Sequence, residues 1–473
     1  MKKDCYIESL LSQIREKRAK EQIRKEISSH IEDQKSNYIT DGMTAEDAEE
    51  KAVMDMGDPI ETGMALDRIH RPKPAWSMLA VIAMLCAVGV LLQYAVYTEG
   101  LSSRMGSYYL KKQCMYGLAG FFMICIVYLI DYTRIAKYSR YLCSGILLYL
   151  FLLESNAASF LNLPFIPHYE LIGIFGHWIG IGVLFYLYLP LYGAVLHSYR
   201  NCTVQHIWKV ILYTFLPIFF AFRLTHLSTR INVFIIIALI FCTAAIKGWL
   251  PMKAKKSDQT SYLKYLPHTG RFFHRKGILL ILTALLAVAA LLFIRMPSYQ
   301  MHRIQAWLHP GAYKSTIGYT TNLLRKIIRS SQLIGKHTDP TLTIFPNIET
   351  DFLLTYAIGT FGILAGATLI TLIVLLGIKL LNISVHQKNQ LGMIMGLGCS
   401  LVFLIQSVEY ILVNLTLLPE SGLYLPLVSF GGSGMLQTCM LLGIMLSIYR
   451  YENVVSEPQP VQTENTCFLQ AKP

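Results

Sequence analysis

From Trp76 onward the chain is a succession of apolar runs, each long enough to cross a bilayer, and nothing else in it restricts the fold as strongly. Ten such runs are expected, near 76–97, 113–131, 141–160, 168–196, 207–224, 231–249, 277–295, 352–381, 390–417 and 424–448. The expected fold class is therefore all-α, ten transmembrane helices behind a small helical domain. Composition agrees: 53% of residues are hydrophobic and only 15% charged, against roughly 25% charged in soluble domains. A soluble globule of this balance would leave far more apolar surface in water than it tolerates, and disordered chains lack this much Leu, Ile, Phe and Tyr. The net charge of +13 would suit nucleic acid, but polytopic membrane proteins also gather Lys and Arg in cytoplasmic loops. The expected partner is the lipid bilayer, with no nucleic acid. Ten cysteines fall singly, with no C-x-x-C pair, and read as small core residues rather than a disulfide or zinc framework.

The charge is unevenly spread. Residues 1–72 carry 12 Lys and Arg against 16 Asp and Glu, a net of −4, whereas the remainder carries +17. The first apolar run begins too late for a cleaved signal, so 1–72 reads as a cytosolic domain. Ile7, Leu10, Leu11, Ile14, Ile23, Ile27 and Ile31 recur at helical spacing. Thr44 stands as an N-cap before Ala45-Glu46-Asp47, Gly57 is a natural helix stop, and Asp58-Pro59 opens a further short helix. Three helices are expected here, with a basic hinge at 69–74. Residues 451–473 read as a disordered cytosolic tail.

An even number of spans puts both termini on one side. The loop 250–276, with seven Lys and Arg against Asp258, and the loop 132–140, with Arg134, Lys137 and Arg140, fall on that side. The positive-inside rule then places both termini in the cytoplasm. The long segment 297–351 falls outside, yet it holds Arg303, Lys314, Arg325, Lys326, Arg329 and Lys336. So basic an external loop is a candidate surface for an anionic ligand.

Two regions carry motifs. The last span begins Leu425-Pro426-Leu427-Val428-Ser429-Phe430-Gly431-Gly432-Ser433-Gly434, where Pro and the Gly-Gly-Ser cluster break the helix and let backbone approach backbone. In the external loop stand Arg303-Ile-Gln-Ala-Trp-Leu-His-Pro310, Gly318-Tyr319, Gly335-Lys336, Phe345-Pro346 and Thr350-Asp351-Phe352. Together with Leu418-Pro419-x-x-Gly422 and the stretch from Gln113 to Asp131-Tyr132, these strings resemble the SEDS family (FtsW, RodA, SpoVE) over about 75–450. Separately, Gly42-Met-Thr-Ala-Glu-Asp-Ala-Glu-Glu-Lys-Ala followed by Met56-Gly57-Asp58-Pro59 resembles the small HAAS signalling domain found ahead of bacterial membrane segments.

The family resemblance implies a ten-span protein of the bacterial plasma membrane that polymerises lipid II, an undecaprenyl-diphosphate-linked precursor, beside a class B penicillin-binding protein, in division, elongation or sporulation. It implies substrate contact at Arg303, Pro310, Gly318, Tyr319, Lys336, Pro346, Thr350, Asp351, Ser429, Gly431, Gly432 and Ser433. Such chemistry asks for a carboxylate to take the proton of the attacking hydroxyl and for cations to hold the departing diphosphate. Of the loop cations Arg303 is the family-matched one, and Lys314, Arg325, Lys326 and Arg329 are extra. The family's carboxylate lies in a Pro-x-x-Asp-Pro string that here reads Pro310-Gly-Ala-Tyr313-Lys314. Tyrosine, with an ordinary pKa near 10, is a poor base at neutral pH. Asp339, Glu349 and Asp351 lie in the same loop as possible substitutes, Asp351 and Glu349 foremost, although Asp351 also suits a cap for the following span. Glu409, in the ninth span, reads either as a polar cavity residue or as a buried pair with His177 or Arg223. The spacings Gly362/Gly366 and Gly392/Gly396 read as helix packing. No dedicated metal site is evident, though diphosphate chemistry often recruits a divalent cation.

Three functions are consistent with these strings: a lipid II polymerase, a catalytically silent homologue that binds lipid precursor or a penicillin-binding protein under control of the N-terminal domain, and a transporter of lipid-linked intermediates. The transporter is the weakest, because no internal repeat or matching interrupted spans are visible.

Overall fold

The computed structural model describes residues 3–72, 74–101, 106–155, 167–168, 171–174, 177–200, 206–249, 298–313, 317–335 and 345–452. It divides into two compact units, one built on the described residues of 3–75 with the short pieces 387–390 and 448–452, the other containing the remaining apolar helices.

The N-terminal unit holds four helices, α1 (Lys3–Gln13), α2 (Lys17–Thr40), α3 (Ala45–Asp55) and α4 (Pro59–His70). Three were expected, and the difference lies at residues 14–16. There the backbone N–H of Arg15 donates to the Asp67 carboxylate at 2.8 Å, a tertiary bond that takes a donor from the helical ladder and splits the first helix in two. The periodic isoleucines and leucines make the core, with Tyr6, Leu10, Ile14, Ile23 and Ile31 fully buried. Thr44 caps α3, its Oγ1 accepting from the Asp47 N–H at 3.3 Å, and Asp58 caps α4 ahead of Pro59. Gly57, at φ +75°, turns the chain between them in a conformation that costs a Cβ-bearing residue. Gly63 lets α4 lie directly on α1, since a Cβ there would stand 2.7 Å from the Leu10 carbonyl oxygen.

The second unit is built from apolar helices, as hydrocarbon demands, because a backbone without water must satisfy its own amides. Seven described helices are long and apolar enough to cross a membrane: α5 (Trp76–Thr98), α6 (Gly106–Leu129), α10 (Ile207–Leu224), α11 (Leu227–Ile246), α15 (Ile363–Val385), α16 (Gln390–Asn414) and α17 (Gly432–Arg450). Shorter helices lie among them: α7 (Tyr132–Lys137), capped by Asp131, α8 (Ser139–Glu154) and the apolar α9 (Gly182–Ser198). The expected span at 277–295, the loop 250–276 and residues 453–473 lie outside the described residues.

Two expected spans are interrupted. The run at 168–196 is not one helix. It opens as a three-stranded antiparallel sheet, β1 (Pro167–His168), β2 (Leu171–Ile174) and β3 (His177–Gly180), with Leu171 opposite Gly180 and Ile174 opposite His177. Gly173 and Gly180 with β-branched Ile172, Ile174 and Ile179 favour strand over helix, so the helical part begins only at Gly182, and an otherwise helical fold carries one small sheet. The run at 352–381 breaks at Gly362, φ +97°, into α14 (Leu353–Phe361) and α15. Gly362 is thus a hinge residue, and it is also closely approached, since a Cβ there would stand 2.8 Å from the Leu333 carbonyl oxygen; Gly366 and Gly396 admit neighbours in the same way, Ile358 and Ser384. Close helix contacts recur at other glycines: Gly398 against Pro190, Gly120 against Cys439, Gly443 against Val127.

Candidate functional site

Most of the loop and span residues singled out by sequence converge on one region of the second unit. The loop contributes α12 (Ser298–Leu308), a turn at 311–313, α13 (Tyr319–Ser330) and the turn 346–351. Trp307 pins α12 to the far end of α16, donating its indole N–H to the Thr416 carbonyl at 3.0 Å. Pro310 and Gly318 face each other across the turn that holds Tyr313. The Asn322 side-chain amide donates to both the Pro310 and Gly318 carbonyls at 2.8 Å. The Gly318 N–H donates to the Tyr313 carbonyl at 3.1 Å. A Cβ at Gly318 would sit 2.9 Å from that same oxygen, so glycine is required by proximity there.

The turn 346–351 is clamped on every side. Asn414 donates to the Asp351 carbonyl at 3.0 Å and Tyr410 to that of Thr350 at 3.3 Å, while the Tyr410 hydroxyl accepts from the Leu353 N–H. Phe345 packs edge-on against Phe352. Pro346 occupies the turn itself. The Glu349 carbonyl accepts from Gln93 of α5 at 2.7 Å and from the Phe430 N–H at 3.0 Å. That single oxygen joins the loop to the Ser429–Ser433 string. Ser429 is fully buried and accepts from the Leu425 N–H at 2.8 Å. Gly431 and Gly432 lie flat on the rings of Tyr424 and Tyr116, where a Cβ would come within 2.6 and 2.5 Å. Ser433 is half-buried in the first turn of α17. Lys314, Lys336 and Asp339 lie outside the described residues.

Charge is placed with the same care. Arg303 on α12, Glu420 in the turn after α16, and Asp351 form one electrostatic group, with Glu420 also hydrogen-bonded by Thr320 of α13. Burial pushes the Asp351 carboxyl up to about 7, and the neighbouring Glu420 charge adds to the rise against hydrogen bonds from Thr350 and Asn347. Glu420 is raised as well, by burial, with Arg303 and Thr320 holding it back. Two carboxylates in one site separate their protonation in this way. Asp351 is not the cap expected from sequence: Phe352 occupies the N-cap position of α14 and makes no side-chain capping bond. Glu349 is buried, and its carboxylate lies within electrostatic range of Tyr109. Glu420 was not singled out by sequence; its signal was only one charge within the turn string Leu418-Pro419-x-x-Gly422.

Three described residues other than glycine hold positive φ: Asn347 (53°), Thr416 (61°) and Leu427 (70°). One lies in each of the three segments that build this region. Such backbone costs on the order of 1–3 kcal/mol per residue and gathers at functional sites.

Elsewhere, Arg223 is not the partner of Glu409. It pairs with Glu154 at 2.7 Å, and Glu409 instead accepts from the Asn232 amide at 2.6 Å, with Tyr186 on the same amide. The His177 side chain lies outside what is described. Among the described residues no group of three or more His, Cys, Asp and Glu is gathered as metal ligands would be.

Residues 270–454 match the family model described as "Cell cycle protein", the FtsW/RodA/SpoVE family. The chain is 29% identical over 189 residues to the "Peptidoglycan glycosyltransferase MrdB" of Escherichia coli K12, covering 38% of this chain and 50% of the relative. It spans about half the length of the curated relatives it matches at this level. A longer match runs to the "Probable peptidoglycan glycosyltransferase FtsW" of Geobacter sulfurreducens, 24% identical over 393 residues, 78% of this chain and 93% of the relative. By structure the chain is similar to a chain of a solved peptidoglycan synthase complex, with TM-score 0.57 and 19% identity, covering 80% of this chain and 98% of that one. A variant of the Rod shape determining protein RodA of Thermus thermophilus aligns with TM-score 0.51 and 16% identity, over 80% and 97%. These likenesses support the resemblance read from the loop and last-span motifs, and at such identities the structural ones concern the fold.

Proposed function

We propose that this chain is a multi-pass plasma-membrane protein of bacterial cell-wall synthesis, a ten-span SEDS protein with both termini cytoplasmic, which extends glycan from lipid II beside a class B penicillin-binding protein. The observation that carries this reading is the group formed by Asp351, Glu420 and Arg303. It supplies next to the family-matched arginine the proton acceptor that Tyr313 does not.

In the proposed step a sugar hydroxyl attacks the anomeric carbon of the lipid-linked saccharide. The new carbon–oxygen bond forms as the bond to the diphosphate oxygen breaks, and the hydroxyl proton passes to a carboxylate. A base poised near neutral pH is the efficient choice, and the burial of Asp351 beside Glu420 provides one. Arg303 offers a planar, always-charged donor to oxygen atoms that gain charge.

The test is polymerisation of labelled lipid II by the purified chain, alone and with a class B penicillin-binding protein. Strand synthesis that is lost in Asp351→Asn or Glu420→Gln is expected. No synthesis under either condition overturns the enzyme reading.

A second reading, a silent homologue that binds lipid precursor or a penicillin-binding protein, is favoured by Tyr313 standing where the family carries Asp. In either case residues 1–72 act as a HAAS-like regulatory domain. Met54, Ile60 and Met64, large apolar side chains left exposed on that unit, support its docking on a partner. Deleting 1–72 with no change in localisation, partner binding or wall phenotype would rule this role out.

A further inference from the structure

Helices α8, α9, α10 and α11 form one packed group, and its two ends differ in charge. At the end where α8 and α10 begin and α9 and α11 finish stand Arg134, Lys137, Arg140, Arg200, Lys209 and Lys247. Among the described residues of those stretches the one carboxylate, Asp131, is buried and caps α7. At the opposite end Arg223 is paired with Glu154. We propose that the cationic end holds the phosphodiester headgroup of an anionic phospholipid, seated on the starts of α8 and α10 between Arg140 and Lys209.

The two helix starts call for an anion. Tyr138 precedes α8 and His206 precedes α10, and neither side chain makes a capping bond. Neither first turn carries an acid; Arg140 and Lys209 stand there instead. A cation opposes the positive end of the helix dipole, so each helix is worse off for it until an anion is bound. Positive-inside topology asks for cations in the flanking loops, not within uncapped first turns. Ser139, the first residue of α8, is an independent sign. Its hydroxyl is 1% exposed and has no hydrogen-bond partner among the described residues. Helical side chains lean toward the N-terminus, which aims this donor at the helix start. A buried, unmet hydroxyl is costly, and a phosphate oxygen is an acceptor that meets it.

Ring contacts draw the two starts together. The Arg140 guanidinium lies 5.7 Å from the centre of the Tyr199 ring, and the His206 ring lies 6.3 Å from the same ring. Beside Tyr199 the Arg200 guanidinium donates to His197 Nε2 at 2.8 Å. Arginine only donates, so this nitrogen accepts and His197 is a neutral imidazole. Its ring packs edge-on against Trp249 at 5.2 Å. Uncharged rings thus tie the helix ends together, and the positive charge is left to arginine and lysine. Tyr138, Tyr141 and Trp208 are each more than half exposed on the same helix ends, and these residue types settle at headgroup depth. Aromatics so placed at the end of apolar helices favour a lipid over a free phosphate ester. With both termini cytoplasmic, this end faces the cytoplasmic leaflet, where basic pockets between spans bind anionic headgroups. The inference is independent of the lipid II reading and applies equally to a silent homologue.

Binding is measured on the delipidated full chain in nonionic detergent, by native mass spectrometry and by the rise in unfolding temperature. The probes are phosphatidylglycerol, phosphatidylcholine with the same acyl chains, and soluble glycerol 3-phosphate. Phosphatidylglycerol is expected to bind more tightly than either of the others. The Arg140→Gln/Lys209→Gln variant weakens that binding about 10- to 100-fold, as for the loss of two charge-assisted contacts. Lys379→Gln/Lys388→Gln, which removes the same charge elsewhere on the side of the termini by the ten-span count, leaves it unchanged. Ser139→Ala weakens it about 2- to 10-fold and does not lower the unfolding temperature of the lipid-free chain, since the hydroxyl has no bond there to lose. Phosphatidylcholine binding as tightly as phosphatidylglycerol overturns headgroup recognition, and glycerol 3-phosphate binding as tightly overturns the lipid assignment. An unaffected Arg140/Lys209 variant, or equal weakening in both double variants, overturns the site by reducing it to diffuse charge. Should the Arg140/Lys209 variant not fold, Ser139→Ala decides: unchanged phosphatidylglycerol binding in it overturns the proposal.

Discussion

Replacing Asp351 by Asn tests the carboxylate group through stability, independently of any substrate. The Asp351 carboxyl, ordinarily near 3.8, is held at about 7 by burial and by the Glu420 charge. Between those pH values the folded chain keeps a proton that the unfolded chain has released. Stability therefore falls as pH rises through that window and is level on either side. At 1.36 kcal/mol per unit, a rise of this size amounts to roughly 4 kcal/mol lost between pH 4 and pH 7. Asparagine is isosteric and does not ionise, so Asp351→Asn removes this slope and is the more stable form at pH 8. Glu420→Gln removes one cause of the rise and moves the upper edge of the window to lower pH. Thermal unfolding of the three proteins in micelles from pH 5 to pH 8 makes the comparison, since titrations common to all of them cancel in the differences. Parallel curves for the parent and Asp351→Asn would refute the reasoning, because they would mean that Asp351 ionises as freely in the fold as in water.

Other changes report on neighbouring parts. Gly89→Ala would bring a Cβ within 2.5 Å of the Val428 carbonyl oxygen and 2.9 Å of its Cα; a loss of about 1–3 kcal/mol is expected from such overpacking, seen as a lower unfolding temperature, whereas Gly117→Ala, with open space around it, causes none. Gln93→Ala removes the buried donor to the Glu349 carbonyl and is expected to cost about 1–3 kcal/mol, with faster amide exchange at Phe430. Thr44→Ala removes the α3 cap, worth about 1 kcal/mol, and is expected to raise exchange across residues 45–55 while leaving α1 unaffected. Tyr313→Phe leaves lipid II polymerisation at the parent level if the carboxylates take the proton; loss of synthesis in that variant would return the role to the tyrosine hydroxyl.

The features legible in sequence were those set by local chemistry. Thr44, Gly57 and Asp58-Pro59 end and begin helices for reasons contained within a few residues. The seven clear spans follow from runs of apolar side chains. Ser429–Ser433 announced a break because Pro and paired glycines cannot continue a helix unaided. What escaped depends on partners distant along the chain. Glu420 gains its meaning from Arg303 and Asp351, and no periodicity connects them. Glu409 pairs with Asn232 because α11 and α16 meet, while Arg223, equally plausible by charge, is taken by Glu154. The first helix divides because Asp67 reaches Arg15. The hairpins at 167–180 are apolar enough to pass for a span until the glycines and β-branched residues are weighed against it.

The break at Gly362 has a consequence for engineering. Helix α15 begins with amide donors that no side chain caps, and these are met by the loop: Ile363 and Leu364 donate to the carbonyls of Gln332 and Leu333 at 2.9 and 3.2 Å. A stretch after α13 thereby serves as the terminal fitting of a membrane helix, in a setting where an unmet donor is expensive. The loop 297–351 cannot be exchanged as a free module. A chimera that takes residues 297–351 from a relative must carry the 362–364 junction with it, or the recipient span starts with its first donors bare.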